Sequence, residues 1–271
     1  MRAGETAVDT KESDDLLAVL RVVAERAGKT ILAYYAEAEE IEVRKKADAS
    51  PVTEADEAAE DCILAFLKTL TPEVPIVSEE QAAAGILPDV SGGRFWLVDP
   101  LDGTKEFLNR NGEFTVNIAL IELGQPVAGV VHAPALAMTW AGCREVGAPA
   151  RATFSQTDQP LMDVRVRPFP EGGITVVASR RHGSGEELEG FLAGYSVKDR
   201  VTAGSSLKFC LVASGRADLY PRFGRTMEWD TAAGHAVLAA AGGAVTTVEG
   251  APLTYGKPGF ENPYFVARGA G

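Results

Sequence analysis

Two short apolar runs in the first half of the chain end abruptly in acidic residues. The segment VPIVSEE reaches Glu79 and Glu80, and the segment RFWLVDPLD reaches Asp99 and Asp102. Both runs are rich in β-branched or aromatic residues, which is typical of buried strands. Carboxylates that are brought together without a cation repel one another. The pattern therefore indicates a sheet whose strand ends carry a cation site.

The motif DPLDGT predicts how the backbone leaves the second of these strands. Pro100 has no N–H donor and a fixed φ, so we expect the strand to break after Asp99 and the backbone to turn at once. The turn can bring Asp102 back beside Asp99 and point the Leu101 carbonyl inward. The Gly-Thr pair that follows would open a helix whose free N–H groups can hold a phosphate oxygen.

A hard divalent cation such as Mg²⁺ would explain these acids together with Asp56 and Asp230. Mg²⁺ is a hard cation that binds a few carboxylates and keeps water and substrate phosphate in its remaining positions. Each acid alone also has a structural interpretation, since Asp-Gly after a strand is often a turn and Asp230 before a helix can be an N-cap. Taken together, the acids favour a cradle for Mg²⁺ and a phosphate.

The charge balance of the chain restricts its partners. Lys and Arg number 26 against 38 Asp and Glu, which gives a net charge of -12. Such a field repels polynucleotides and acidic membrane surfaces, so we expect no nucleic acid polymer as a partner. No apolar run approaches the roughly 18 residues of a membrane span. The N-terminal segment MRAGETAVDTKESDD lacks the apolar core of a signal peptide, which predicts a cytoplasmic protein.

The cysteines and two of the three histidines are expected to be structural. Cys62, Cys143 and Cys210 are far apart and form no CxxC or CxxH spacing, which is typical of small core residues. His132 follows an apolar strand and His235 lies in an alanine-rich helix, so neither is assigned to a metal.

Hydrophobic periodicity predicts the order of elements in the first half. Apolar residues recur at steps of three and four over residues 13–37, which indicates an amphipathic helix. A second helix is expected over residues 53–70, and its start, TEAD, resembles a capping box with Asp56 in the place of the usual Glu. Residues 114–142 contain three apolar runs separated by Gly or Pro turns, which predicts a meander of strands. The first half is therefore two helices and a mostly antiparallel sheet.

The second half has a different pattern. Residues 144–163 are richer in Gly, Pro, Ala and polar residues, so we place a soft boundary there and divide the chain into 1–149 and 150–271. From ITVVAS to DTAAGHAVLAAA, strand patterns alternate with helix patterns, which indicates an α/β layer. A Gly-Gly pair at the end of the last helix predicts a C-cap, and a terminal hairpin should follow.

Four motifs resemble the inositol monophosphatase superfamily in order and spacing: SPVTEAD (50–56), SEE (78–80), DPLDGTKEF (99–107) and WDTAAGHAVLAAAGG (229–243). The ending GTKEF and the block GSSLKFCLVASGRADLYPRFGRTMEWD look most like the CysQ type, the 3'(2'),5'-bisphosphate nucleotidases. The resemblance runs from about residue 14 to the end. It implies an α/β (α+β) fold, a five-layer α/β/α/β/α sandwich in two intimately packed halves.

The resemblance also implies the metal ligands. Glu79, Asp99 and the Leu101 carbonyl would hold one Mg²⁺, and Asp99, Asp102 and Asp230 a second. A weaker third ion would be held through water with help from Glu79. Two metals about 4 Å apart suit an in-line displacement at phosphorus. Glu79 and Asp102 are thereby implied as catalytic residues too.

Thr104 and Asp56 correspond to the water-activating pair of the family. In that pair the carboxylate orients the hydroxyl and the hydroxyl orients the attacking water. Asp56 would then be both cap and catalyst. A basic residue precedes this motif in the family, and Lys45 and Lys46 both compete for its place.

A nucleotidase must also bind a second phosphate and a base. We expect Lys208 to lie one turn into a helix begun by Ser205 and Ser206, and Arg222 ends the strand DLYPRF. A hydroxyl, a lysine and an arginine that converge near a helix N-terminus would suit a 5'-phosphate. His182 matches a histidine that lies beside the nucleotide in this type, and the two arginines before it remain ambiguous.

Three further residues complete the implied substrate contacts: Gly103, Thr104 and Asp230. The expected activity is Mg²⁺-dependent release of the 3'-phosphate of adenosine 3',5'-bisphosphate by metal-activated water, which gives AMP. The resemblance implies that the 3'-phosphorylated sulfate donor is cleaved as well and that Li⁺ inhibits. Both a homodimer and a monomer fit the sequence, and the number of metals during turnover stays open.

The principal alternative is an inositol-1-phosphate or fructose-1,6-bisphosphate phosphatase on the same scaffold. A haloacid-dehalogenase-type phosphatase is disfavoured because DPLDGT has one residue more between its acids than the DxDGT pattern of an aspartate nucleophile. A non-catalytic metal-dependent binding protein should lack a ligand or one of the Thr104 and Asp56 pair, and all of them are present.

Overall fold

The computed structural model describes residues 10–37, 44–45, 51–52, 54–144, 150–157, 159–180 and 185–271, with only the backbone at 10–13, 37, 44–45 and 51–52. Its α-helices are α1 (Thr10–Glu37), α2 (Glu54–Leu70), α3 (Glu79–Ala83), α4 (Thr104–Leu108), α5 (Glu186–Leu192), α6 (Leu207–Ala213) and α7 (Ala232–Ala240). Its strands in the first part of the chain are β1 (Arg44–Lys45), β2 (Pro51–Val52), β3 (Ile76–Ser78), β4 (Arg94–Asp102), β5 (Thr115–Glu122), β6 (Gln125–Ala133), β7 (Met138–Cys143), β8 (Arg151–Gln156) and β9 (Met162–Asp163). The remaining strands are β10 (Ile174–Ala178), β11 (Val197–Thr202), β12 (Leu219–Arg222), β13 (Ala244–Thr247) and β14 (Phe265–Arg268).

The first outer layer consists of α1 and α2. Their apolar stripes, which include Leu20, Ile31 and Ile63, pack with Trp96 and Ile118 of the sheet below in one buried cluster. The predicted periodicity is therefore confirmed, although α1 begins at Thr10, about one turn before the expected start. The burial of these side chains removes a continuous apolar surface from water.

The second layer is a seven-stranded sheet with the order β3-β4-β5-β6-β7-β8-β9. Only its β3–β4 pair is parallel, and the other pairs are antiparallel, which confirms the predicted meander. This sheet runs on to Asp163, and the next sheet begins at Ile174. The division of the chain at residues 149 and 150 stays a prediction.

The expectation that Pro100 breaks β4 is wrong. The strand continues to Asp102, and Asp99 pairs with Asn117 while Asp102 pairs with Thr115. From Asp99 to Asp102 the chain advances three residues along β4, whereas from Asn117 to Thr115 it advances only two along β5. The one extra residue in β4 defines a β-bulge. Proline has no N–H to donate to a neighbouring strand. Pro100 is tolerated because it lies in the bulge, where the ladder requires no donor at this position.

The third layer is helical, and α7 packs closely on the first sheet. A Cβ on Gly129 would lie 2.8 Å from the Ala236 Cβ, and one on Gly142 would lie 2.7 Å from the Val237 Cα. Two glycines in β6 and β7 thus let the helix backbone lie almost directly on the sheet. The alanine-rich sequence of α7 has the same cause, since larger side chains would not fit between the layers.

The fourth layer is a five-stranded sheet with the order β11-β10-β12-β14-β13. Its inner face packs on α6, and its outer face is covered by α5, where Leu188 and Leu192 contact Ile174 and Leu219. Gly242 closes α7 with a φ of 94°, and β13 and β14 form the expected terminal antiparallel pair. The described elements confirm the predicted five-layer α/β/α/β/α sandwich.

The predicted core residues are placed as expected. Cys143 and Cys210 are buried, and Cys62 is half-buried. His132 bonds Thr139 through Nδ1 at 2.9 Å, and His235 bonds the Tyr255 hydroxyl at 3.0 Å. Among the described helices, none has the length and apolar character needed to cross a bilayer.

The buried His132 makes stability depend on pH. Burial lowers the pKa of His132 to about 4. The unfolded chain, with a histidine pKa near 6.5, therefore binds more protons between these values, so stability is complete above about pH 6.5 and is lost as the pH falls. The loss from this group between about pH 7.5 and 5 should be about 2 kcal/mol.

His132→Asn should reduce this loss, because an amide can replace Nδ1 toward Thr139 but does not titrate. Urea unfolding at both pH values should show a stability decrease smaller than that of the wild type by about 2 kcal/mol. An unchanged decrease would contradict the assignment.

Candidate metal and phosphate site

An acidic cluster lies at the junction of β3, β4 and α7. Glu79 begins α3 directly after β3, Asp99 lies in β4, and Asp230 lies just before α7. One carboxylate oxygen of each residue lies within 4.8 Å of the others. The fold thereby brings Glu79 and Asp99 together with Asp230, which is more than 100 residues away in the sequence.

The cluster is electrostatically unfavourable as it stands. Desolvation raises the pKa of Asp99 well above its usual range, and the charges of Glu79, Asp102, Asp230 and Asp56 raise it further. The pKa of Asp230 is raised as well, chiefly by desolvation and then by Asp102 and Glu79. Oxygen donors of like charge at this spacing, one buried and two half-buried, fit a divalent cation with hard-ligand preference. The residues present therefore fit Mg²⁺.

Asp102 lies beside this cluster. Among the described residues, the group of mutually close oxygens comprises Glu79, Asp99 and Asp230, and Asp102 lies outside that group. Desolvation raises its pKa to about 6, while the charge of Lys208 acts to lower it. The second ion that was assigned to Asp99, Asp102 and Asp230 stays a prediction.

The bulge in β4 organises the phosphate side of the cluster. The Leu101 N–H donates to Asp99 Oδ1 at 3.1 Å, and the Thr104 hydroxyl donates to the Leu101 carbonyl at 3.5 Å. Gly103 has a φ of 91°, a left-handed conformation, and α4 starts at Thr104. The predicted helix start is thus confirmed, and glycine is the residue that the turn requires.

Ser205 joins the bulge in β4 to the loop that follows β11. Its hydroxyl donates to the Asp102 carbonyl at 2.9 Å. A Cβ on Gly103 would lie 2.1 Å from this hydroxyl oxygen, so the contact exists only because residue 103 has no side chain. The backbone of the bulge and the loop before α6 are therefore fixed relative to each other.

A buried polar network that the sequence did not predict supports the same junction. The Ser206 hydroxyl donates to Asn117 Oδ1 at 2.6 Å and lies 2.8 Å from the Thr115 hydroxyl. Asn117 Nδ2 in turn donates to Asp102 Oδ2 at 3.5 Å. The polar residues Asn117 and Thr115 within the apolar run FTVNIALIE could have indicated this network.

The turn that carries Asp230 is held by Asn262. Its amide Nδ2 donates to the Met227 carbonyl at 2.8 Å and to the Thr231 hydroxyl at 3.0 Å. The Met227 N–H donates to Asp230 Oδ2 at 2.8 Å, which leaves the other oxygen available to the cluster. The role of Asn262 was also missed, since nothing in its local sequence indicates it.

A cleft adjoins the acidic cluster and contains most of the predicted substrate contacts. Its lining includes Asp102, Ser205, Lys208, Arg222 and Asp230. The sequence did not assign the other lining residues, which are Lys105, Glu106, Ser179, Arg180, Gly204, Phe209, Tyr220, Thr226 and Thr231. The cleft thus places basic groups next to the acids that fit a metal.

Lys208 is held firmly in this cleft. Its Nζ donates to the carbonyls of Ala203, at 3.4 Å, and Ser205, and lies 5.3 Å from the centre of the Tyr220 ring. Burial lowers its pKa to about 8, although Asp102 acts to raise it. Lys208 is the second residue of α6, which begins at Leu207 with Ser206 as the N-cap, rather than at the serine pair.

Asp56 and Glu60 lie on one face of α2, a turn apart, and both are buried. Asp56 lies close enough to Asp99 to raise its pKa. Glu60 accepts a hydrogen bond from the Glu80 N–H at 3.0 Å, next to Glu79 in the cluster. Glu60 was not predicted, although two acids four residues apart on the inner face of a helix could have indicated it.

Several residues that the sequence assigned to the site are not among those that the structure describes. His182, Lys46 and the expected cap Thr53 lie outside the described residues, and Lys45 is described only by its backbone in β1. The nucleotide contact of His182, the capping box and the choice between the two lysines stay predictions. The water-activating pairing of Thr104 with Asp56 also stays a prediction.

Comparison with known proteins identifies the class of this fold and site. Residues 12–264 match the inositol monophosphatase family, and the chain belongs to this family. Its relatives include the 3'(2'),5'-bisphosphate nucleotidase CysQ of Salmonella typhimurium, 46% identical over 250 residues that cover 90% of this chain and 95% of the relative. The protein of the same name from Escherichia coli K12 is 45% identical with the same coverage.

Solved structures give the same result. CysQ from Bacteroides thetaiotaomicron, a bacterial member of the inositol monophosphatase family, has a TM-score of 0.76 and 35% identity and covers 95% of this chain and 98% of its own. The suppressor protein SuhB from Bartonella henselae has a TM-score of 0.75 and 27% identity, with 94% of each chain covered. The predicted family and its CysQ-like character are confirmed.

The contact between Gly103 and Ser205 can be tested with a matched glycine. Gly250 has a φ of 93° and open space where a Cβ would lie, so Gly250→Ala should show only the backbone strain, about 1 kcal/mol. Gly103→Ala should cost at least about 1 kcal/mol more, because the Ser205 hydroxyl must move and lose its bond to Asp102. Urea unfolding measures both.

Ser205→Ala in the Gly103→Ala background should remove the steric part of the cost. Equal losses for the two single glycine variants would show that the close contact is unimportant.

Proposed function

We propose that this chain is a Mg²⁺-dependent 3'(2'),5'-bisphosphate nucleotidase that releases the 3'-phosphate of adenosine 3',5'-bisphosphate and gives AMP. The observation that carries the proposal is that Asp102 and Asp230 line the same cleft as Lys208 and Arg222. A site for one phosphate beside a metal cluster thus continues into a site for a second phosphate. The names of relatives that are 45–46% identical over nearly their whole length support the same activity.

Glu79, Asp99 and Asp230 would hold the metal, with Asp102 beside them. When bound, Mg²⁺ supplies Lewis acidity and lowers the pKa of a coordinated water. The bulge and the turn before α7 would keep the carboxylates of Asp99 and Asp230 in place to bind the metal, and the ester phosphate would bind to the metal. The Leu101 carbonyl adds a neutral oxygen donor on the same side.

Thr104 and Asp56 would orient the attacking water. The Thr104 hydroxyl lies at the start of α4, and Asp56 is fully buried near Asp99. In this proposal the Thr104 hydroxyl, which donates to the Leu101 carbonyl in this structure, donates its hydrogen bond to Asp56 instead. The hydroxyl oxygen then accepts a hydrogen bond from the water and holds it in line with the ester bond. The water oxygen bonds to phosphorus, the bond from phosphorus to the ribose 3'-oxygen breaks, and a water proton ends on that oxygen.

Ser205, Lys208 and Arg222 would bind the 5'-phosphate. Lys208 is already ordered by two carbonyls, so little side-chain freedom is lost when a phosphate binds. The same contacts fit the 3'-phosphorylated sulfate donor, which also carries a 5'-phosphate group. Inhibition by Li⁺, a count of two or three metals, a homodimer and a cytoplasmic location stay predictions.

The metal assignment is tested by Asp102→Asn. This change removes a negative charge with almost no change in volume, and turnover should fall at least about 100-fold while the wild-type fold is kept. Steady-state phosphate release and circular dichroism measure the two quantities. Wild-type turnover in the variant would refute a catalytic part for Asp102.

The substrate is tested by phosphate release with Mg²⁺ from adenosine 3',5'-bisphosphate, inositol-1-phosphate and fructose-1,6-bisphosphate. The nucleotide should have the highest kcat/KM by at least about tenfold, and Lys208→Ala should raise KM for the bisphosphate much more than for inositol-1-phosphate. A preference for inositol-1-phosphate would leave the metal site in place but overturn the nucleotide assignment.

A further inference from the structure

Arg180 lies at the rim of the cleft, two residues after the end of β10. Its side chain is 41% exposed and forms a two-pronged ion pair with Glu113. Nη2 donates to Glu113 Oε1 at 2.6 Å, and Nη1 lies 2.5 Å from Glu113 Oε2. This pairing raises the pKa of Arg180, so the guanidinium carries its full charge at the edge of the substrate cleft.

Glu113 connects Arg180 to the loop that carries Ser205. Glu113 Oε2 also accepts the Gly204 N–H at 2.6 Å. The Gly204 backbone packs tightly here, since an added Cβ would lie 2.9 Å from the Glu113 carbonyl oxygen. Ser205 follows with a φ of 49°, and its carbonyl accepts from Lys208. One carboxylate therefore fixes the rim arginine and the loop that anchors the lysine.

We infer that Arg180, oriented by Glu113, is a specificity-determining residue that binds the phosphate that is not hydrolysed. This inference rests on the proposed nucleotidase function and extends its second-phosphate site beyond Lys208 and Arg222. A guanidinium has five N–H donors in a planar fork, so two can serve Glu113 while others face the cleft. Because Glu113 fixes the guanidinium, binding a dianion costs little side-chain entropy.

The charges around the cleft favour this role. Asp102, Asp230 and Glu106 line the cleft and repel a polyanion in the absence of metal. A metal neutralises the cluster but not the region near the rim, where a second phosphate adds about two negative charges. Arg180 supplies a cation there that Glu113 holds in place but does not bury.

The test compares a substrate with both phosphates and one with the 3'-phosphate alone. For Arg180→Ala, KM for adenosine 3',5'-bisphosphate should rise about tenfold or more, while KM for adenosine 3'-monophosphate and both kcat values stay within about twofold. The KM of Arg180→Lys for the bisphosphate should lie between those of the wild type and Arg180→Ala, because lysine keeps the charge but lacks the planar fork of N–H donors.

Arg200 provides the matched control. It forms the same kind of two-pronged pair with Glu189, is 46% exposed, and lies in β11 outside the cleft lining. Arg200→Ala should leave both KM values within about twofold of the wild type. Equal effects of Arg180→Ala on both substrates, or no effect on either, would overturn the inference.

Glu113→Gln tests whether Glu113 positions Arg180. It should raise KM selectively for the bisphosphate by about threefold or more, because the arginine is no longer fixed. A loss of kcat with both substrates would instead assign Glu113 to general structure. The preference of the wild type for the bisphosphate over the monophosphate is measured first. If the wild type does not prefer the bisphosphate, the proposed function fails. If the wild type prefers the bisphosphate and Arg180→Ala has the same KM values as the wild type, only this inference is contradicted.

Discussion

The mutual repulsion of three carboxylates, one buried and two half-buried, is the constraint on which this structure depends. Carboxylate oxygens of Glu79, Asp99 and Asp230 are held within 4.8 Å of one another although desolvation and like charge raise the pKa of the two aspartates. Such a cluster persists only where the surrounding fold fixes each backbone. Here a parallel strand pair, a bulged strand and a helix start each supply one acid, and close packing of α7 on the first sheet keeps the three supports together.

The basic groups are arranged around this cluster as a second consequence. Lys208 is buried beside Asp102, and each shifts the pKa of the other toward its charged form. Lys208 is bound by carbonyls, and Arg180 by Glu113, so both cations are ordered before any ligand arrives. A preorganised site of this kind loses less conformational entropy when it binds a polyanion.

The sequence predicted the parts of the site that depend on local chemistry. The acid-rich strand ends, the glycine that opens α4 and the alternation of strands and helices follow from patterns of a few residues. The bulge at Pro100 was missed because it depends on pairing with β5, not on proline alone. Contacts such as Ser206 with Asn117, or Arg180 with Glu113, join residues 89 and 67 positions apart, and no local pattern encodes them.

The close seating of α7 on β6 and β7 has a consequence for how this scaffold can diversify. With the helix backbone almost in contact with the strands, any larger residue at Gly129 or Gly142 would displace the helix that follows Asp230. The chemical centre is therefore confined to a narrow range of geometries. Arg180, at the rim of the cleft, is under no such restriction, because its side chain is 41% exposed. Relatives of this fold can exchange their substrates by changing the rim while their catalytic chemistry stays the same.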